Sequence, residues 1–151
     1  MPALAQPVTV SWWQLKEFPA TEITLDSDLI KIFPSGLQKI SNLTPDFLKT
    51  HLTEEQFNSV ERSGLFQNIN VNINDHPHPE RISVGIYDTL SGEKGRFIAI
   101  RSENETQIFT HPGITGYSGI LIKNQRVRWY KCLDCNDYDL IYWSGRRFIV
   151  E

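Results

Sequence analysis

The stretch Gln125-Arg126-Val127-Arg128-Trp129-Tyr130-Lys131-Cys132-Leu133-Asp134-Cys135-Asn136-Asp137-Tyr138-Asp139-Leu140-Ile141-Tyr142-Trp143-Ser144-Gly145-Arg146-Arg147-Phe148-Ile149-Val150-Glu151 decides the fold. It reads as two back-to-back hairpins. One bends at Cys132-Leu133-Asp134-Cys135 and the other turns at Ser144-Gly145. Aromatic and β-branched runs bounded by turn residues are the mark of strands. This third of the chain therefore reads as compact β-structure, stapled near a strand end.

Upstream, Ile69, Val71 and Ile73 alternate with Asn70, Asn72 and Asn74, a period of two that suits a half-buried strand. Ile82-Val84-Ile86 repeats the pattern. Strands are expected over 97–101, 106–110, 119–123, 126–131, 138–143 and 147–150. Turns fall at Ser91–Gly95 and at Lys123-Asn124-Gln125. Val8 to Trp13 is β-branched and aromatic and reads as a strand, which would send Trp12 and Trp13 to opposite faces. Periodicity does not decide between helix and strand for Leu29 to Phe33.

Two helices interrupt the strands. Thr44 is an N-cap with Pro45 at the first helical position, where its missing N–H is harmless. Thr53-Glu54-Glu55-Gln56 is a capping box, and Gly64 suits a left-handed helix end. Helices are expected over 45–50 and 54–63. The fold class is α+β: mostly an antiparallel β meander, as a curled sheet or partial barrel, with two short helices from the N-terminal half packed on it. Residues 8–151 are read as a single globular domain.

The chain has 151 residues, 40% hydrophobic and 22% charged, an ordinary soluble composition. A net charge of −3 and a pI near 5.8 argue against nonspecific nucleic-acid binding, which rests on neutralising phosphates. No apolar run approaches the ~20 residues that span a bilayer. Ala3-Leu4-Ala5 matches the small-x-small signal-peptidase pattern, so residues 1–7 are read as the remnant of a signal peptide and the protein as exported, periplasmic or secreted. A close cysteine pair agrees with an oxidising compartment.

Cys132 and Cys135 can form a redox pair or a structural disulfide. Redox chemistry wants a thiol of low pKa, but Asp134, Asp137 and Asp139 crowd the motif and would raise it, so the structural disulfide is favoured. His76-Pro77-His78 can aim two imidazoles at a metal, with Asp75 or Glu80 adding oxygen, yet loop histidines between prolines are usually solvated. The run from Asp134 to Asp139 matches a calcium loop only in part and lacks its glycine and distal glutamate. No nucleophile elbow, P-loop or dinucleotide fingerprint occurs.

The Cys132–Cys135 hairpin resembles the disulfide loop of bacterial periplasmic lysozyme inhibitors, which plug a hydrolase active site with a constrained loop. The likeness covers only these few residues. With two residues between the cysteines and no histidine among them, the hairpin departs from the pattern of the vertebrate-lysozyme inhibitors, and no site is transferred.

The sequence thus suggests a small exported binding protein without catalysis, an inhibitor or immunity protein for a secreted enzyme or toxin. Its expected contacts are Leu133, Asp134, Asn136 and Asp137, with Trp129 and Trp143 nearby. A glycan- or peptidoglycan-binding module is the second reading, and an enzyme with a metal at His76 and His78 the third. The leading reading needs no cofactor and no metal; its partner is a protein, with a glycan as the alternative.

Overall fold

The computed structural model describes residues 12–22, 37–73, 76–103, 105–133 and 135–151. Residues 1–11, including the signal-peptide reading and most of the first expected strand, lie outside these, as do Leu29 to Phe33, Asp75 and Asp134. In chain order the elements are α1 (Trp12–Leu15), β1 (Leu37–Asn42), α2 (Pro45–His51), α3 (Glu54–Ser63), β2 (Asn68–Val71), β3 (Glu80–Thr89), β4 (Lys94–Arg101), β5 (Thr106–Pro112), β6 (Gly119–Lys123), β7 (Arg126–Tyr130), β8 (Tyr138–Trp143) and β9 (Phe148–Val150). This is the expected α+β class.

The strands form two open antiparallel sheets rather than one curled sheet. The first runs β1-β3-β4-β5, with β2 also pairing with β3. The second is the meander β6-β7-β8-β9. One side of the pair is tied by a two-bond backbone bridge, Phe66 N–H to Ile120 O at 2.8 Å and Ile120 N–H to Phe66 O at 2.7 Å. On the other side the buried Gln107 amide acts as a short strand. It donates to Phe148 O at 2.8 Å and accepts from Phe148 N–H at 2.7 Å.

Helices α2 and α3 form where their caps place them. Thr44 Oγ1 accepts from Phe47 N–H, and the Thr53–Gln56 capping box is reciprocal, at 3.2 Å and 3.0 Å. Gly64 ends α3 at φ 75°, which a side chain would disfavour. Leu48, Leu52 and Val60 bury into one core with Ile82, Val84, Ile86, Ile98 and Ile100 of the first sheet and Ile120, Val127, Trp129, Ile141 and Phe148 of the second. The helices are therefore packed on the sheets.

Two expectations are corrected. Trp12 and Trp13 lie in the helical turn α1, not on a strand. Their rings meet edge to face at 5.7 Å, and Trp12 meets Tyr117 in the same way. Tertiary packing of large rings has overridden local strand propensity. Second, β3 is not half-exposed. As a central strand it is buried from Ile82 through Tyr87, because Tyr87 joins Ile40, Phe97 and Ala99 in a second cluster on the outer face. That crowding explains Gly85, where a Cβ would collide with the Ser41 carbonyl and the Phe97 ring.

Tyr117 is wholly buried, and its hydroxyl accepts from Gln67 Nε2 at 3.1 Å. Burial pushes its pKa well above the ordinary phenol value, while bonds to Gln67 and Ser63 act the other way. Tyr87 is raised too, by burial and then by Glu93. The unfolded chain releases these protons near pH ~10; the folded chain keeps them. The stability they contribute is thus whole below about pH 10 and declines as pH climbs toward the raised folded values. Tyr117→Phe is expected to flatten this alkaline decline, with urea midpoints between about pH 9 and 11.5 as the measurement.

Candidate functional site

The β7–β8 connection is closed on itself. Cys132 and Cys135 are disulfide-bonded with their Cα atoms 5.9 Å apart. Lys131 N–H donates to Asp137 O at 3.3 Å, and Asp137 N–H approaches Cys135 Sγ at 3.3 Å. Cys132 is buried, whereas Cys135, Asn136 and Asp137 are exposed. Leu133 is half-buried; it packs against the core and, with Trp13 and Arg62, lines a hollow of about 240 Å³ between the loop and α3.

Charges gather beneath this loop. Lys131 Nζ lies 3.8 Å from Asp137 and 3.7 Å from Asp139. His111 Nε2 pairs with Asp139, and its ring tilts over Trp129 at 4.6 Å. Arg96 is the cross-strand partner of His111. Its guanidinium carbon sits 3.1 Å from where a Cβ of Gly116 would stand, and its buried Nε has no hydrogen-bond partner among the described residues. Burial lowers its pKa, and Asp137 opposes that.

The structure divides the residues that the sequence groups together. Leu133, Asn136 and Asp137 share the loop. Trp129 is wholly buried in the core, which removes it from any contact surface. Trp143 stands at the far end of β8, five residues and about 17 Å along the strand from Tyr138, so it is not near the loop. Of the arginines interleaved with the rings, Arg128 stacks over Tyr138 at 4.7 Å and Arg126 over Tyr142 at 5.8 Å.

Trp143 belongs to a second site. With His76, His78, Ser102, Glu103 and Glu105 it lines a cleft of about 330 Å³. At its base Glu80, 1% exposed, accepts from Ile73 N–H at 3.1 Å and pairs with His76 Nδ1. His76 in turn meets the Trp143 ring edge to face at 4.7 Å, while His78 Nε2 lies 3.3 Å from Glu103. The two imidazoles are thus drawn to different carboxylates. Among the described residues no group of three or more His, Cys, Asp or Glu side chains is placed to hold a metal ion.

Sequence reasoning singled out His76, His78 and Glu80 but joined neither Glu103, Glu105 nor Trp143 to them, because these come from the β4–β5 connection and the end of β8. Among the described residues no helix is long and apolar enough to cross a membrane. Comparison of the chain with protein-family models, with curated proteins and with solved structures finds no match.

Proposed function

We propose that this is an exported, non-catalytic binding protein whose contact surface is the disulfide-closed β7–β8 loop. The observation that carries the reading is the loop's build: a buried Cys132 is disulfide-bonded to Cys135, which stands exposed beside the exposed Asn136 and Asp137. A loop closed by a disulfide loses less entropy on binding than an open one, which is how a small protein can present a few polar residues with useful affinity. The fitting partner is a secreted enzyme or toxin, with this protein as its inhibitor or immunity protein. The bonded cysteines suit a periplasmic or secreted setting.

A photo-crosslinker at position 136, presented to a periplasmic extract, is expected to trap one dominant protein. A crosslinker at Leu90, which is 69% exposed on the β3–β4 turn, is expected to trap none. The Cys132→Ser/Cys135→Ser double variant should lose the adduct while remaining folded, because a loop this short contributes only about 2 kcal/mol through its disulfide. No adduct from position 136, or equal adducts from both positions, overturns the reading.

The Trp143 cleft favours a second reading, a glycan ligand. A half-buried indole flanked by carboxylates and imidazoles offers a sugar both a stacking face and hydrogen-bond partners. Peptidoglycan fragments that change the fluorescence of the wild type but not of Trp143→Phe would support it; identical titrations of the two proteins would remove it.

A further inference from the structure

The outward face of the second sheet gathers positive charge. Val127 and Trp129 enter the core, so Arg126 and Arg128, which alternate with them along β7, face away from it. Lys123 is the cross-strand partner of Arg126 beside the tight Asn124-Gln125 reversal, and so shares that face. Like charges directly opposite each other destabilise a sheet. Arg126 lies over the Tyr142 ring and Arg128 over the Tyr138 ring, contacts that steady each guanidinium and leave N–H groups at its edge. Arg128 spends one of these on the Tyr130 hydroxyl at 3.2 Å. The three cations line a hollow of about 450 Å³ together with Tyr138 and Leu140. No carboxylate lines it, and among the described residues none of the three cations is paired with one. Glu151 is reached only across β8. Its N–H donates to Leu140 O, and Leu140 in turn pairs with Arg128, which puts it two strands, about 10 Å, away. This local charge runs against the sign of the whole chain, whose net charge is −3.

We propose that this face docks an acidic, extended segment of a protein partner, with alternate carboxylates of the segment held by Arg126 and Arg128 and a further one by Lys123. Residues i and i+2 of an extended chain stand about 7 Å apart, so alternate carboxylates repeat at the spacing of Arg126 and Arg128, themselves two residues apart on β7. Guanidinium forks match carboxylates. Charge complementarity of this kind steers encounter and rejects wrong partners. The hollow is larger than a bare ion needs, and Tyr138 and Leu140 give the segment's carbon atoms a surface to cover. A nucleic acid fits less well. Three cations neutralise few phosphates, and the rest of an acidic molecule repels a long polyanion. The cations gather at the β6–β7 turn and the middle of β7, whereas the disulfide loop leaves the other end of that strand, so this docking face does not depend on the loop.

NMR titration of the whole protein at low salt tests it. The probe is a short synthetic peptide alternating glutamate with threonine. The controls are the same peptide with glutamine for glutamate, inorganic phosphate and a short oligothymidylate. The acidic peptide is expected to bind, with amide shifts concentrated in β6, β7 and β8 around Lys123, Arg126, Arg128 and Tyr138. The glutamine peptide and phosphate should bind at least about tenfold more weakly, and binding should fall as salt rises. The Lys123→Gln/Arg126→Gln double variant should weaken binding by about fivefold or more, the loss of two exposed charge pairs. Both residues are exposed and their replacement relieves a like-charge pair, so the variant should melt no lower than the wild type. Four results would each overturn the proposal: no shifts at about 5 mM acidic peptide, equal binding of the glutamine peptide or of phosphate, tighter binding of oligothymidylate, or undiminished binding by the folded double variant.

Discussion

Trp129→Ala lowers the unfolding free energy by about 3–5 kcal/mol, the range for removing a large buried aromatic side chain. The indole is wholly buried at the centre of the meander and belongs to the cluster that joins both sheets and both helices. Its loss leaves a cavity that β7 cannot close, because β7 is held by hydrogen bonds to β6 and β8 on either side. Trp129→Phe should lose much less. The buried indole Nε1 has no acceptor among the described residues, so phenylalanine keeps an aromatic ring in the core and removes an unbonded donor. Guanidinium unfolding of the two variants checks the order. An alanine variant within about 0.5 kcal/mol of the wild type, as for a surface substitution, would mean that this ring is not the core of the second sheet.

Glu80→Ala is the second large effect, about 1–3 kcal/mol, because removing the buried carboxylate leaves the Ile73 N–H without its acceptor. The carboxylate is almost fully buried, accepts from Ile73 N–H and pairs with His76. Its removal leaves both groups without their partner at the base of the Trp143 cleft. Glu80→Gln should lie between alanine and the wild type, since an amide oxygen still accepts from Ile73 N–H. A double-mutant cycle with His76→Ala measures the pair itself, and a coupling energy indistinguishable from zero would show that His76 and Glu80 do not act together. The same variants should alter the fluorescence of Trp143, whose ring the His76 imidazole touches edge-on.

Local chemistry explains why so much of the fold was legible. The helices over 45–51 and 54–63 announce themselves through Thr44-Pro45, the Thr53–Gln56 box and Gly64, each acting within one turn of chain. The reversal at Asn124-Gln125 was legible too, and both residues adopt positive φ there. The failures share a cause. Trp12 and Trp13 have strand propensity, yet edge-on packing of Trp12 with Trp13 and Tyr117 outweighs it. The alternation in Ile82-Val84-Ile86 names one buried face but is silent about the other, which a separate cluster covers.

The candidate sites were legible only in pieces. The cysteine loop is contiguous in sequence, so its staple and its exposed residues could be read together. Trp129 and Trp143 differ in burial and in place although both sit in aromatic-rich strands, and no local signal separates them. His76 and Glu80 are four residues apart and could be paired on paper, whereas the cleft around them also needs side chains from β8 and from the β4–β5 connection.

The sequence by itself determined the α+β class, the limits of both longer helices, most strand positions and the disulfide-closed turn, because caps, alternation and turn residues act over a few bonds. Tertiary structure alone decided that the strands divide into two open sheets, that Gln107 bridges them through Phe148, that Trp129 is core, and that Arg81 and Arg101 are cross-strand partners on β3 and β4. These depend on register and packing between segments distant in the chain, where the free energy lies in which surfaces meet and no short run of residues encodes the partner.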